Sequence, residues 1–352
     1  MIIVIGAGRM GRVIAQELSR SHEVLAVDSS EASLSKLEGI RSFKGNFKDV
    51  PELGEADLVV TALPSEIAEQ VIEYILLKGR NVVDISFTDY DPFKFDEIAK
   101  AHGCMYLPHA GFAPGLSNIL AGKLHYGHRS RNIEIIVAGL QEKPFPPMGY
   151  IPTFNASSVI DEYTRPARYI ENGSLKEALP LETIDTMEVE GFGKLDSFYS
   201  DGLSTILQTF RDGSVVEKTL RHPGHMEKMK FLNDMGYFSS EKIGGSSARE
   251  ISDELFRRTV RDVPDVSILK VIPLDKRGPE FSIVDHYDSK NIISSMGRMT
   301  GFSAAAMAMA VLESKINGTG VFPAEWIGKD DTAFSFIMEY LKERSIDIRV
   351  KG

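Results

Sequence analysis

The chain opens with a short apolar run, a glycine-rich turn and a segment of helical spacing. Ile2–Ile5 is uniformly apolar, as is typical of a strand buried on both faces of a parallel sheet. After the turn and the helical segment comes a second apolar run, Val24–Val27, which ends at Asp28. This order of elements predicts the first strand, helix and second strand of a doubly wound α/β domain.

The turn Gly6-Ala7-Gly8-Arg9-Met10-Gly11 has the spacing of a dinucleotide-binding loop. Gly6 permits the tight turn, Gly8 lets a pyrophosphate approach the backbone, and Gly11 lets the helix pack against the strand. The helix N-terminus offers N–H groups and a partial positive charge to the phosphates. We therefore predict that the cofactor contacts Gly6, Gly8, Arg9, Met10, Gly11 and Asp28.

Asp28 is the residue from which we predict the preference between NAD and NADP. It follows Gly6 by about the 20 residues expected for the carboxylate that accepts the ribose hydroxyls. A 2′-phosphate would meet that carboxylate as a like charge, so the pattern favours NAD over NADP.

The α/β rhythm continues beyond Asp28. The pattern predicts strands at residues 57–64, 81–86 and 105–107, and helices at 65–78, with Ser65 as N-cap, and 95–102. Ligands bind at the carboxyl ends of such strands. We therefore expect three segments to line the cofactor site beside the glycine turn, namely Ala62-Leu63-Pro64-Ser65, Asp84-Ile85-Ser86 and His109–Pro114 with its aromatic Phe112.

The pattern changes near residue 130. Segments typical of more exposed strands predict a second α+β domain with a mainly antiparallel sheet, with strands at 133–139, 187–192, 214–220, 266–272 and 281–286. The tail returns to helical spacing at 302–316 and 332–344. We expect an NAD-binding Rossmann domain at 1–118, completed by helices from about 295–352, and a substrate and oligomerisation domain at 119–294.

Composition narrows the class of protein. The chain has 352 residues, 43% of them hydrophobic, and a net charge of −10 without a block of Lys or Arg, which argues against a nucleic acid or anionic membrane partner. The first predicted strand begins at residue 2, which leaves no room for a signal peptide, and no apolar run reaches transmembrane length. The single cysteine, Cys104, is expected to be buried, and no spacing predicts a metal site. We expect a cytoplasmic protein.

Several longer motifs resemble one enzyme family. His109-Ala-Gly-Phe-Ala-Pro-Gly-Leu-Ser-Asn-Ile-Leu-Ala-Gly122 resembles the segment after the nucleotide-binding domain in the saccharopine dehydrogenase/reductase superfamily. Further stretches are similar to lysine 6-dehydrogenases, namely Asp84–Ser86, Asp161–Arg168, Ser200–Leu203, Thr219–His225 and Ser295–Phe302. The resemblance spans most of the chain in the same order.

The resemblance implies a Rossmann domain and an α/β domain whose sheet mediates formation of a homodimer. It also implies NAD-dependent oxidative deamination of the L-lysine side-chain amine, giving a semialdehyde that cyclises to the piperideine carboxylate. Two departures bear on the substrate. His109 stands where the family pattern has Asp, and Phe154–Ser158 stands where relatives carry Trp-Ser-Pro.

Oxidation of a primary amine needs a base, because the unperturbed pKa of the amine is about 10.4. We favour His225 in the Arg-His-Pro-Gly-His turn, with His109 as the second candidate and Asp84 at a strand end. His225 could instead satisfy a loop backbone, His109 could be a surface histidine, and Asp84 could cap a helix.

The substrate carboxylate needs a cation, preferably Arg for its bidentate fork. Arg165 and Arg221 are the candidates, and Tyr163 lies in the same motif as Arg165. Asp201 with Gly202 is typical of a turn, although the carboxylate could also hold the α-amino group.

Two other functions remain open at this stage. A saccharopine dehydrogenase-like enzyme would act on a secondary amine and would need two anion clamps. A non-catalytic NAD-binding redox sensor would keep the glycine turn and Asp28 but would not need Arg165, Arg221 and His225.

Overall fold

The computed structural model describes residues 1–88, 90–152, 156–261 and 263–352. Residues 154 and 155 of the departing segment Phe154–Ser158 therefore lie outside the described residues. The strands are β1 (Ile2–Ile5), β2 (Val24–Asp28), β3 (Arg41–Lys44), β4 (Leu58–Thr61), β5 (Val82–Asp84), β6 (Met105–Leu107), β7 (Asn132–Gln141), β8 (Ala167–Glu171), β9 (Ser174–Ala178), β10 (Asp185–Val189), β11 (Gly193–Tyr199), β12 (Ser214–Arg221), β13 (Lys242–Ile243), β14 (Ser246–Ser247), β15 (Asp265–Pro273), β16 (Glu280–His286), β17 (Gly320–Val321) and β18 (Arg349–Lys351).

Helices connect most of these strands. They are α1 (Arg9–Leu18), α2 (Glu31–Leu34), α3 (Ser65–Leu77), α4 (Asp96–Ala101), α5 (Leu116–Gly122), α6 (Ala156–Thr164), α7 (Ile206–Thr209), α8 (His225–Asp234), α9 (Ala248–Thr259), α10 (Ser295–Leu312) and α11 (Asp331–Glu343). Short 3₁₀ helices lie at Phe47–Asp49, Pro51–Glu55, Pro92–Phe95, Pro180–Glu182 and Ala324–Lys329, and a π-helical turn lies at Lys123–Gly127.

The described chain forms two compact units. One comprises Met1–Arg129 with Gly297–Ile348, and the other comprises Ser130–Met296 with Arg349–Gly352. No helix in the described ranges combines the length and the apolar character that a membrane crossing requires.

A parallel sheet of seven described strands organises the first unit, in the order β17-β6-β5-β4-β1-β2-β3. The strand order reverses beside β1, which pairs with both β2 and β4. The apolar strands β1 and β4 are fully buried because helices cover both faces of such a sheet. This topology brings the carboxyl ends of β1, β2, β4, β5 and β6 to one edge, where ligands of doubly wound folds bind.

The second unit is built on a nine-stranded sheet of described strands. Its main path is β10-β11-β12-β7-β15-β16-β18, with β8 and β9 attached at β12. Neighbouring strands run antiparallel except β7 and β12, which pair in parallel. The helices α6 and α8 bury an apolar cluster that includes Tyr163, Phe198 and Met226.

The fold class predicted from the sequence is confirmed. Two details of the prediction are wrong. Ser65 is the first residue of α3 and Pro64 occupies the N-cap without a side-chain hydrogen bond, since proline already supplies an extended backbone there. The helix α10 begins at Ser295, earlier than residue 302, and the Asp265 carboxylate accepts the N–H groups of Ser295 and Met296 at this start.

Candidate functional site

The glycine turn after β1 is too tightly packed to hold larger residues at two of its three glycines. A Cβ on Gly6 would lie 2.3 Å from the carbonyl oxygen of Ala62, and one on Gly11 would lie 1.8 Å from that of Gly6. A Cβ on Gly8 would meet no atom within 4 Å. The turn therefore packs strand, helix and neighbouring loop together while leaving an open side at Gly8.

Asp28 closes the same turn from the end of β2. Its carboxylate accepts the Ala7 N–H at 2.7 Å and the Ser30 N–H at 2.7 Å. Gly8 is the N-cap of α1 and provides no side-chain hydrogen bond to the first turn. The residues thus offer an uncapped helix N-terminus to an anion and a carboxylate to hydroxyl groups, which fits a dinucleotide.

The segments predicted to line the cofactor site do lie together. Ala62 contacts the glycine turn, and the N–H of Leu63 donates to the hydroxyl of Ser86 at 3.3 Å. The N–H of Ala110 donates to the carbonyl of Asp84 at 2.6 Å. The loops after β4, β5 and β6 are therefore joined to one another by hydrogen bonds at the carboxyl edge of the sheet.

Asp84 is fully buried at the end of β5. Its Oδ1 accepts from the Thr61 hydroxyl at 2.6 Å and from the Ser86 hydroxyl at 2.7 Å, and Tyr106 donates to its Oδ2 at 3.3 Å. Burial raises the pKa of Asp84 to about 6, although these hydrogen bonds to the carboxylate oppose that rise.

His109 follows β6 in a left-handed conformation, with φ of 52°. Such a φ is unfavourable for a residue with a Cβ and costs of order 1 kcal/mol, so surrounding contacts must hold it. The side chain is buried and its Nε2 lies 3.2 Å from the Thr88 hydroxyl. Phe112 is buried in the loop that follows, where Gly115 packs so closely on Gly111 that its Cβ would lie 2.1 Å from the Gly111 carbonyl oxygen.

The second unit contains a buried chain of polar groups on α6, α8 and β12. The Tyr163 hydroxyl lies 2.8 Å from His225 Nε2, and Arg221 Nε donates to the same hydroxyl at 3.0 Å. His225 Nδ1 lies 2.9 Å from the Met148 carbonyl, which can only accept, so Nδ1 carries the proton. The Nε2 of the neutral ring therefore accepts the Tyr163 proton.

The guanidinium group of Arg221 is bound by side chains of its own unit. Its guanidinium pairs with Glu162 at 2.5 Å, lies 4.4 Å from the Tyr150 ring centroid and is only 1% exposed. Burial lowers the pKa of Arg221, but Glu162 and the Tyr163 hydroxyl outweigh that effect and raise it above its ordinary value. The guanidinium is therefore a fixed positive charge beside His225.

That charge bears on the role of His225. Burial, and next the Arg221 charge, lower the pKa of His225 to about 3. The imidazole is thus neutral at physiological pH and a weak base, since a general base works best with a pKa near the working pH.

Arg165 and Arg168 meet at Asp201. Arg168 forms a bidentate pair with Asp201, through Nε and Nη2 at 2.9 Å each, and Arg165 Nε lies 3.3 Å from the same carboxylate. Burial lowers the pKa of Arg165, and Asp201 opposes this shift. The cluster therefore contains one carboxylate in contact with two guanidinium groups.

Glu217 is buried beside this cluster and was missed by the sequence analysis. Ser200 donates to its Oε1 at 2.9 Å, while a Cβ on Gly202 would lie 2.0 Å from that oxygen. Burial raises the pKa of Glu217 to about 8, and the neighbouring charges of Asp201 and Glu162 add to the rise while Ser200 opposes it. The group therefore carries a proton at neutral pH.

The predicted residues thus fall into three groups. Gly6, Gly8, Gly11 and Asp28 lie together with Arg9 and Met10 at the turn. Asp84, Ser86, His109 and Phe112 lie at the adjoining strand ends. Two clusters in the second unit contain the remaining predicted residues, namely Arg165, Arg221, Asp201, Gly202, Tyr163 and His225.

The sequence analysis did not identify Arg168, Tyr150 and Tyr106 as site residues, although Arg168 lies within one of the motifs. Among the described residues no group of three or more His, Cys, Asp or Glu is arranged to hold a metal ion.

Two family models match the chain. Residues 111–346 match the Saccharopine dehydrogenase C-terminal domain, and residues 2–86 match the TrkA-N domain. The first match covers more than half of the chain and includes both clusters of the second unit.

Curated relatives are distant and longer. The NADP-dependent, L-glutamate-forming saccharopine dehydrogenase of Pyricularia oryzae is 22% identical over 211 residues, which are 54% of this chain and 45% of that protein. The alpha-aminoadipic semialdehyde synthase of Arabidopsis thaliana is 23% identical over 291 residues, 68% of this chain and 27% of that protein. The chain therefore spans less than half the length of the curated relatives it matches.

A solved structure shares the fold over the whole chain. The apo L-Glu-forming saccharopine dehydrogenase of Saccharomyces cerevisiae superimposes with a TM-score of 0.76 at 17% identity, covering 100% of this chain and 99% of that one. This likeness shows the fold, and the family model, which matches more than half of the chain, identifies the chain as a member of the saccharopine dehydrogenase family.

Proposed function

We propose that the protein is an NAD-dependent oxidoreductase that acts on the C–N bond of an amino acid. The substrate proposed is L-lysine, whose side-chain amine is oxidatively deaminated to the semialdehyde that cyclises to the piperideine carboxylate. The observation that carries the proposal is the glycine turn, packed too closely for side chains at Gly6 and Gly11 and joined to Asp28, in a member of this family.

The residues that would hold the cofactor all lie in the first unit. The open side at Gly8 and the start of α1 would receive the pyrophosphate, and Asp28 would accept the ribose hydroxyls. When bound, the nicotinamide accepts a hydride from the carbon next to the amine. The carboxylate of Asp28 favours NAD over NADP. The curated relative from Pyricularia oryzae is named as an NADP enzyme, so the proposed cofactor differs from that of this relative.

A base must first take a proton from the ammonium group, since only the neutral amine can release hydride from its carbon. We assign this role to His109 rather than His225. His109 lies at the carboxyl edge of the parallel sheet, whereas burial and Arg221 lower the pKa of His225 to about 3. Loss of hydride then leaves an iminium ion, and water releases ammonia and the aldehyde.

Within the second unit, Arg165 and Arg168 are the side chains proposed to hold a carboxylate. Both guanidinium groups pair with Asp201. Arg221 would act differently, because its pairing with Glu162 and Tyr163 orients His225 from within the unit. His225 and Tyr163 are therefore not assigned the proton transfer.

A saccharopine dehydrogenase-like reaction on a secondary amine is the second candidate. The name of the curated relative from Pyricularia oryzae and the presence of two guanidinium groups at Asp201 favour it. Saccharopine carries two carboxylates more than lysine, and a pair of arginines could bind these additional groups.

The experiment that separates these functions is reduction of NAD and of NADP by the purified protein with L-lysine or saccharopine. Turnover with lysine and NAD supports the proposal, whereas turnover with saccharopine alone selects the second candidate. Binding of NADH without turnover on either substrate would favour a redox sensor.

A further inference from the structure

Asp84 is hydrogen-bonded to groups at the ends of three neighbouring strands of the first unit. Its Oδ1 accepts from the Thr61 hydroxyl of β4 at 2.6 Å, and from the hydroxyl and the N–H of Ser86 after β5 at 2.7 and 3.0 Å. Its Oδ2 accepts from the Tyr106 hydroxyl of β6 at 3.3 Å, and its backbone carbonyl accepts the Ala110 N–H at 2.6 Å. One residue therefore connects the carboxyl ends of β4, β5 and β6.

The Ser86 hydroxyl extends this connection to the loop after β4. It accepts the Leu63 N–H at 3.3 Å, so its own proton is directed to Asp84. The carbonyl oxygen of Ala62 in the same loop packs against the glycine turn, where a Cβ on Gly6 would lie 2.3 Å from it. The position of the loop against the turn therefore depends on the orientation that Asp84 gives to Ser86.

The carboxyl group that makes these contacts is fully buried, and no cation among the described residues pairs with it. Burial of a carboxylate without a countercharge is costly, and hydroxyl and N–H donors compensate for that cost only in part. A neutral side chain at the same position would avoid it. A carboxylate at the meeting point of three strand ends therefore points to a role in the site that these ends form.

We propose that the ionised Asp84 is a positioning residue of the cofactor site, which holds the loops after β4, β5 and β6 in the arrangement that binds a nicotinamide dinucleotide. It acts through Thr61, Ser86 and Tyr106 and takes no proton from the substrate. The inference rests on the proposed function only in that the ligand is a nicotinamide dinucleotide.

The charge of Asp84 makes this role depend on pH. Burial raises the pKa of Asp84 to about 6, although its hydrogen bonds to Thr61, Ser86 and Tyr106 oppose the rise. A protonated carboxyl group is a weaker acceptor than a carboxylate, so the hold on the loops weakens as the pH falls through about 6. The folded chain binds this proton more tightly than the unfolded chain, so the contribution of Asp84 to stability increases over the same range. A fall in NADH affinity on acidification is therefore distinct from unfolding.

The titratable groups near this carboxylate are Tyr106 on β6, Tyr90 after β5 and His109 after β6. Burial, and next the carboxylate itself, raise the pKa of both tyrosines above the ordinary value, so both are neutral in this range. Lys94 lies over the Tyr90 ring and pairs with Glu69. Histidine titrates in the same range as the carboxylate, so the experiment must distinguish the two groups.

A first test needs no cofactor. Asp84→Asn keeps the size of the side chain and its number of hydrogen-bonding groups but removes the charge, so the variant reproduces the protonated form at every pH. Hydrogen exchange of the Leu63 amide, followed by NMR in neutral buffer, should become about tenfold faster than in the wild type, because a weaker acceptor weakens the whole series. Ser86→Ala removes the acceptor of the Leu63 N–H and should accelerate exchange further. Equal exchange rates in the wild type and Asp84→Asn would overturn the proposal.

The second test is the affinity for NADH as a function of pH, measured by fluorescence titration. In the wild type the affinity should decrease about tenfold as the pH falls through about 6, whereas Asp84→Asn should have the lower affinity at every pH. Thr61→Val and Tyr106→Phe each remove a hydroxyl that stabilises the ionised form, so each should move the midpoint about one unit to higher pH. Tyr340→Phe is the matched control, because it removes a tyrosine hydroxyl bonded to the buried Glu17 elsewhere in the unit, and it should leave the midpoint unchanged.

Two results would contradict the positioning role. One is an Asp84→Asn variant that keeps the pH dependence of the wild type, which would assign that dependence to another group such as His109. The other is an unchanged midpoint in both Thr61→Val and Tyr106→Phe. A wild-type protein that binds no NADH at any pH would instead refute the proposed function, and amide exchange at Leu63 would still test the hold of Asp84 on the loop.

Discussion

Tyr163 and His225 share a hydrogen bond of 2.8 Å between α6 and the first residue of α8, although 62 residues separate them in the chain. The Tyr163 hydroxyl donates to His225 and accepts from Arg221, so it links the histidine to a fixed positive charge. Burial, and next the nearby Arg221 charge, keep His225 neutral, so this histidine is a poor general base although it lies in a motif of the family.

Tyr163→Phe should destabilise the protein without altering cofactor binding. Loss of the hydroxyl leaves Arg221 Nε and His225 Nε2 buried without that partner, at a cost of about 1–3 kcal/mol for each group. The free energy of unfolding is measured with urea. Tyr169→Phe, at a half-buried position on β8, is the control and should change it little. Equal stability of the two variants would contradict the assigned network.

Glu217→Gln should change how stability depends on pH. Burial raises the pKa of Glu217 to about 8 from 4.5, so the folded state binds its proton more tightly than the unfolded state. The stabilising contribution is present below about pH 4.5 and is lost as the pH rises towards about 8. Glutamine cannot ionise, so the variant should lose less stability over that range than the wild type.

The control for this measurement is Glu171→Gln, because Glu171 is exposed at the end of β8. Its pH profile of unfolding should match that of the wild type. A Glu217→Gln profile that also matches would show that Glu217 ionises normally in the folded protein.

Gly8→Ala and Gly11→Ala should separate cofactor binding from folding. Gly8 has an ordinary φ of −65° and open space around it, so alanine should fold normally but intrude where a pyrophosphate would lie. At Gly11 the added Cβ would meet the Gly6 carbonyl oxygen, which should cost about 1–3 kcal/mol of stability. NADH fluorescence titration and thermal unfolding measure the two effects, and Gly54→Ala, also in open space, is the control. Full NADH affinity in Gly8→Ala would refute the assigned phosphate site.

Asp28→Ala should weaken NADH binding about tenfold, the loss expected when a charge-assisted hydrogen bond to the ribose is removed. NADPH binding should weaken less or improve, because the repulsion of the 2′-phosphate disappears. Binding of both nucleotides is measured by fluorescence, with the exposed Asp49→Ala as control. An unchanged ratio of the two affinities would exclude Asp28 from cofactor selection.

Local patterns predicted much of the first unit. The run Ile2–Ile5, the glycine turn and Asp28 are contiguous, and their meaning depends on backbone geometry within about 30 residues. The strand β3 (Arg41–Lys44) was missed, because this edge strand is polar and mostly exposed and lacks an apolar pattern. Similarly, β11 pairs with β12 only after a long excursion of the chain, and its alternation is irregular.

The clusters of the second unit depend on contacts that no sequence spacing reveals. Glu217 lies in a strand between Val216 and Lys218, where a polar residue is usually taken to face solvent, yet it is buried. Whether Arg221 meets a substrate or Glu162 is decided by the packing of α6 on β12, which brings together residues 59 positions apart. The sequence motifs therefore indicate which segments form the clusters, and only the structure shows which side chains contact each other.

The central claim is oxidation of a C–N bond with nicotinamide as acceptor, and isotopic labelling tests it most directly. L-lysine labelled with ¹⁵N at the side-chain amine is incubated with the protein and NAD, and ammonia and NADH are quantified together. The account predicts labelled ammonia and NADH in equal amounts, with the α-amino nitrogen retained in the product. Ammonia from the α-amino group, or no NADH from lysine while NADH still binds, would contradict it.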